Sequence, residues 1–170
     1  FTQVAGMITA ISDSSLDIKV ADFNADGRYD LFTSQGESGS FIDRIYMNLT
    51  GPVDNRPPSI VRTEQLPNTA IAGPYVVRVV AYDAHTSDRG FHDKGVTLQW
   101  RRGGKGAFNA VDMKWSGNSV WRGVIPTQPE SGLIEYYVEA RDFANNLATG
   151  PTQSFTLTLP TPCLGDVNND

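Results

Sequence analysis

The chain has 170 residues, 39% of them hydrophobic, with 19 acidic against 14 basic side chains and a net charge of −5. That length holds one large domain or two small ones, and the acidic balance, with no basic stripe beyond Arg101, Arg102 and Lys105, argues against nucleic acid as a partner. No run approaches the roughly 20 apolar residues of a membrane-spanning helix, and the lone Cys163 cannot form an internal disulfide.

In chain order, residues 4–11, 16–23, 29–34 and 41–49 are predicted as four short strands, with turn stretches at 12–15 and 36–40. Between the second and third lies Asp22-Phe-Asn-Ala-Asp-Gly-Arg-Tyr-Asp30. Oxygen-bearing side chains stand at Asp22, Asn24, Asp26 and Asp30, and Gly27 permits a turn that a side chain would obstruct. Arg28 is placed to add a main-chain carbonyl. Three carboxylates, one amide and one carbonyl suit a hard cation with several oxygen ligands, and Ca2+ is the natural candidate. The opening matches that of an EF-hand, but its twelfth position is Thr33, not Glu. The flanks, Leu16, Ile18 and Val20 before and Tyr29, Leu31 and Phe32 after, read as strands rather than helices. The other reading of this stretch is a hairpin turn whose Asp and Asn side chains cap their own backbone.

The run Leu16-Asp-Ile-Lys-Val-Ala-Asp-Phe-Asn-Ala-Asp-Gly-Arg-Tyr-Asp-Leu-Phe32 resembles the calcium-loop core of the FG-GAP/VCBS repeats, the blades of integrin-like β-propellers. The resemblance covers residues 1–52 at most. It implies a blade-like antiparallel sheet with metal ligation through Asp22, Asn24, Asp26, the Arg28 carbonyl and Asp30. A propeller takes several blades, and this chain has sequence for one. Gly51-Pro-Val-Asp-Asn-Arg-Pro-Pro58 shows no alternation and ends on two stiffening prolines, so residues 53–58 are read as a linker. Asn48-Leu-Thr50 is formally an N-glycosylation acceptor.

Beyond the linker the rhythm lengthens. Runs at 59–63, 75–83, 95–101, 108–115, 119–125, 134–142 and 154–159 predict seven strands with no convincing helix, the count of an antiparallel β-sandwich. Val77, Val79 and Ala81 share one face, Leu98 and Trp100 another, and Tyr136, Val138 and Ala140 a third. Trp100 and Tyr136 are expected in the core, with Trp115 or Trp121 partly exposed. Ile134-Glu-Tyr-Tyr-Val-Glu-Ala-Arg-Asp-Phe-Ala-Asn-Asn146, followed by Ser154-Phe-Thr-Leu157, resembles the closing strands of bacterial fibronectin-III/immunoglobulin-like modules. The resemblance spans roughly 57–160 and implies an Ig/fibronectin-III-like sandwich over 59–160. Residues 161–170 form a short tail in which Asp166, Asn168 and Asp170 alternate, resembling the opening of a dockerin-type calcium loop. That implies a second, incomplete ligand set. Both ends read as cut, as in a segment of a longer precursor.

Catalytic signals are thin. His85 and His92 share the loop 84–93 with Asp and Arg, so a metal or acid–base site, and with it an enzyme, is the lesser reading; without a zinc-protease spacing the loop is read first as a polar connection between strands. Gly36-Glu-Ser-Gly39 is not a nucleophile elbow, the 101–106 run lacks phosphate-loop spacing, and Cys163 has no nearby His. The expectation is an all-β, non-enzymatic, extracellular or cell-surface calcium-binding module. It would adhere to or assemble with other protein chains, copies of itself included, or with cell-surface glycans. The alternative, favoured by the dockerin-like tail, is a carbohydrate-binding accessory module of a secreted polysaccharide-degrading enzyme; any of Trp100, Trp115 and Trp121 left exposed could stack on sugar rings, though a sandwich of this size also needs large residues in its core.

Overall fold

The structure is a computed structural model that describes residues 15–36, 42–86, 91 and 95–160. The expected strand at 4–11, His92 and the whole 161–170 tail, with Cys163, Asp166, Asn168 and Asp170, lie outside them. The described chain is all-β, in three antiparallel sheets.

The first sheet has the order β1 (Ser15–Ala21), β2 (Asp30–Gln35), β3 (Arg44–Tyr46). Its register sets Val20 opposite Leu31 and Leu31 opposite Tyr46, so these three share a face, while Lys19, Phe32 and Ile45 line the other. The alternation legible in the sequence is therefore the pleat of the sheet. The third strand is shorter than the expected 41–49 run. Leu16, Ile18 and Val20 form an exposed apolar row on β1, at 62, 55 and 59% of full exposure.

Among the described residues, 59–160 carry nine strands where seven were expected. One sheet has the order β4 (Ser59–Thr63), β5 (Tyr75–Tyr82), β9 (Val120–Ile125), β8 (Lys114–Trp115). The other runs β7 (Asn109–Asp112), β6 (Val96–Arg102), β10 (Gly132–Arg141), and the far edge of β10 is shared by β12 (Gln153–Leu157) and β11 (Leu147–Thr149). The two extra strands have local causes. The expected 108–115 strand divides at buried Met113, because residues before it pair with β6 and residues after it with β9. The short β11 returns from the turn at 142–146 to pair Leu147 with Arg141, a span too brief for periodicity to reveal.

These two sheets share one core. Val77, Val79, Ala81, Trp121 and Ile125 come from the first, and Val96, Leu98, Ile134, Tyr136, Val138, Ala140, Phe155 and Leu157 from the second. At Gly123 of β9 a Cβ would stand 2.9 Å from Leu98 Cδ2 and 3.1 Å from Met113 Cγ, so the absent side chain lets the sheets approach. Tyr136 is fully buried, donating its hydroxyl hydrogen to Glu64 O (2.8 Å) and accepting from Leu66 N (2.8 Å). Burial pushes its phenol above the usual range, with the Glu64 charge adding to the effect and the Leu66 amide opposing it. One expectation needs correction. The fully buried indole is Trp121, whose Nε1 donates to Ala81 O at 3.0 Å, while Trp100 is only half-buried. Trp100 does lie on the Leu98 face, but toward the end of β6, where it packs on the margin of the core. Trp115, at 45%, is exposed as expected.

Candidate metal centres

Two clusters come from this architecture. The first is the connection between β1 and β2. Its shape is set by side chains bonding to nearby amides: Asp22 accepts from Asp26 N (3.1 Å) and Gly27 N (2.8 Å), Asn24 Oδ1 from Asp26 N (3.2 Å), and Asp26 Oδ1 from Arg28 N (2.9 Å). Asp30, 2% exposed, accepts from Phe23 N (3.0 Å) and Asn48 N (2.8 Å), which ties the loop to the end of β3. Ala25 and Gly27 both take positive φ, 59° and 78°. The Arg28 guanidinium stands 3.5 Å from Asp26 and donates to Gly51 O at 2.8 Å.

This is the self-capped turn offered by one reading of the sequence, drawn out in hydrogen bonds. It keeps Asp22, Asn24, Asp26 and Asp30 in one closed loop, and each carboxylate oxygen has a second lone pair beyond the amide it accepts from. The donor set is therefore all oxygen and acidic, as a calcium loop requires. The three carboxylates are nonetheless spread around the loop. Among the described residues, the acidic and histidine trio whose ligand atoms all lie within 4.8 Å of one another is Asp54, Asp83 and His85.

That second cluster brings the two halves of the chain together. Asp54, in the stretch read as a linker, is buried, with a side chain only 2% exposed. Its amide donates to Gly27 O at 2.7 Å, its carbonyl accepts from Asn146 Nδ2 at 3.3 Å, and its Oδ1 accepts from Arg56 N at 3.0 Å. Asn146 is itself clamped by Asp142, whose Oδ1 accepts its amide (2.7 Å) and Oδ2 its side-chain amide (2.9 Å). At the end of β5, Asp83 Oδ1 caps the amides of His85 and Thr86, both at 2.8 Å, turning the chain so that the imidazole faces Asp54. His85 Nδ1 lies 3.5 Å from Asp54 Oδ2, and neither atom has a hydrogen-bond partner although both are buried. Tyr29 of the first loop stacks on His85, with centroids 4.0 Å apart and planes at 22°, and its hydroxyl donates to Ala84 O at 2.7 Å.

Sequence reasoning missed this cluster because its members are scattered. Asp54 sat in a stretch without periodicity, and the acidic and basic neighbours of His85 within 84–93 pointed to that loop alone, not to Asp54 or Asp83. The 84–93 loop was read first as a polar connection, with a metal or acid–base site as the lesser reading. The structure joins one of its histidines to two carboxylates that no spacing rule links.

The chain matches no protein-family model and no curated protein.

Proposed function

We propose that this chain is a non-enzymatic, calcium-stabilised structural module of a secreted or cell-surface protein, pairing an FG-GAP/VCBS-like blade with an Ig/fibronectin-III-like sandwich. The observation that carries the reading is the closed 22–30 loop, in which Asp22, Asn24, Asp26 and Asp30 are each fixed by hydrogen bonds in or beside the loop, with the Arg28 guanidinium 3.5 Å from Asp26. Three carboxylates in one loop repel one another, and a bound Ca2+ with the Arg28 carbonyl removes that repulsion. The metal then acts as a structural staple. It fixes the β1–β2 connection and, through the Gly27 carbonyl, the position of Asp54.

Adhesion or assembly follows from the apolar row Leu16, Ile18 and Val20, which is exposed on a sheet whose edges are β1 and β3 among the described residues. A row of this kind is stabilised when another polypeptide covers it, and open edges recruit strands. A second copy of the chain, carrying the same row, is the favoured occupant. The accessory-module alternative rests on the dockerin-like tail at 161–170, outside the described residues; of the indoles that could stack on a sugar, Trp115 is exposed, Trp100 half-buried and Trp121 withdrawn into the core.

Thermal unfolding in Ca2+ and in chelator tests the calcium reading. Ligand at a hundredfold excess over Kd stabilises by about 2.7 kcal/mol, worth roughly 5–10 °C in a chain of this size. Asp26→Ala should abolish the shift. An unchanged transition on chelation, or a full calcium response in Asp26→Ala, overturns it.

A further inference from the structure

We propose that Asp54, Asp83 and His85 form a second metal site, selective for a zinc-type divalent cation, which clamps the N-terminal sheet onto the larger sheet pair. It is separate from the 22–30 loop and stands whether or not that loop binds calcium.

The case begins with an unmet demand. Asp54 Oδ2 belongs to a side chain 98% withdrawn from solvent and takes no hydrogen bond, and the facing His85 Nδ1 is equally unsatisfied. Such groups in a folded protein need a partner, commonly an absent water or ion. The geometry favours an ion. Ligands at about 2.0–2.1 Å from a tetrahedral zinc stand roughly 3.3–3.4 Å apart, and the Asp54 Oδ2 to His85 Nδ1 separation is 3.5 Å. Asp83 lies within 4.8 Å of both. Its Oδ1 already serves two amides, leaving Oδ2 to turn inward as the third ligand.

Donor chemistry chooses the metal. An imidazole nitrogen with two carboxylates suits zinc and its first-row neighbours, whereas Ca2+ and Mg2+ take oxygen. Ligation through Nδ1 puts the remaining imidazole proton on Nε2. The ring is already oriented for this by stacking on Tyr29, and the Asp54 carboxylate by the Arg56 amide. A fourth ligand, as in other three-ligand zinc sites, would be a water.

The location gives the site its consequence. Asp54 hangs from Gly27 of the first loop, Tyr29 belongs to that loop, and Asp83 and His85 continue from β5 of the core. A cation here would join the two sheet systems through ligands from the linker and from the core, making their relative orientation metal-dependent.

The test is calorimetric titration of the full chain with Zn2+ in excess Ca2+, which saturates the oxygen-only loop. One equivalent of Zn2+ should bind. Asp54→Asn, which keeps the acceptor for Arg56 N, and His85→Ala should each weaken binding by more than the roughly 100-fold seen for loss of an outer-shell partner. Asp26→Ala should leave zinc binding intact, and circular dichroism checks that each variant is folded. Absence of saturable binding near one equivalent, survival of binding in both Asp54→Asn and His85→Ala, or displacement of zinc by Ca2+ overturns the proposal.

Discussion

Replacing Gly27 with alanine is the sharpest probe of how the first loop is seated. Gly27 has φ +78°, and a Cβ there would lie 2.9 Å from Val53 Cγ1 and 3.1 Å from Asp54 N. The Val53 methyl can rotate away, but the Asp54 amide cannot, because it donates to the carbonyl of the same glycine at 2.7 Å. A left-handed alanine costs about 1–2 kcal/mol, and loosening one hydrogen bond adds about 1 kcal/mol. The sum is roughly 2–3 kcal/mol, which at 1.4 kcal/mol per decade is about a 30- to 140-fold change in a local equilibrium. Global unfolding averages this junction with the rest of the chain, so a local readout is sharper. Native-state hydrogen exchange at the Asp54 amide reports the junction directly, and it should accelerate by that factor in Gly27→Ala. Ala25→Gly is the matched control. Ala25 also has positive φ, at 59°, so glycine there should relieve strain and slow exchange or leave it unchanged. Unaltered exchange in Gly27→Ala, or equal acceleration in both variants, would refute the argument that close approach at Asp54 holds the loop in place.

Trp121→Ala should destabilise the two-sheet core by about 4–6 kcal/mol, summing the usual large-aromatic truncation with loss of the bond to Ala81 O, while Trp115→Ala stays within about 1 kcal/mol; urea denaturation followed by circular dichroism would expose a misassigned core if the two costs were similar. Stability should fall as pH rises above about 10, where unfolded tyrosine begins to ionise. The folded phenol of Tyr136, raised by burial, still holds its proton there, so the unfolded state binds fewer protons and is favoured. Tyr136→Phe should be less stable at neutral pH, because the Leu66 amide and Glu64 carbonyl lose their partner, yet should show a shallower alkaline decline; an identical slope would remove Tyr136 from the account. In Ca2+, light scattering should show molar mass rising with concentration, and Ile18→Asp should return the chain to monomer; a wild-type monomer across a wide concentration range would sink the assembly reading.

Local chemistry made much of this molecule legible without coordinates. Strand positions from β4 to β6 and β9 to β10 follow alternation of Val, Ile, Tyr and Ala with polar residues, because pleating sends successive side chains to opposite faces. The loop at 22–30 was recognisable because its constraints are local: Asp and Asn two positions apart can bond each other's backbone, and Gly27 supplies the turn. Where the chain alone misled, the deciding quantity was nonlocal. Trp100 and Trp121 sit on equally plausible core faces, and only the lateral placement of β9 across from β6 shows that one lies at the centre and the other at the margin. Met113 separates two strands because two sheets compete for the same run of chain, a contest that periodicity cannot register.

The candidate sites divide along the same line. Amino-acid order alone determined an all-β chain and an acidic, oxygen-rich turn, since both arise from neighbours within a few residues. Only the tertiary structure decided that Asp54, from the stretch read as a linker, is buried against His85, itself stacked on Tyr29, with Asp83 beside it. Those side chains meet through the packing of distant segments, and packing, unlike a turn, leaves no fixed spacing in the sequence.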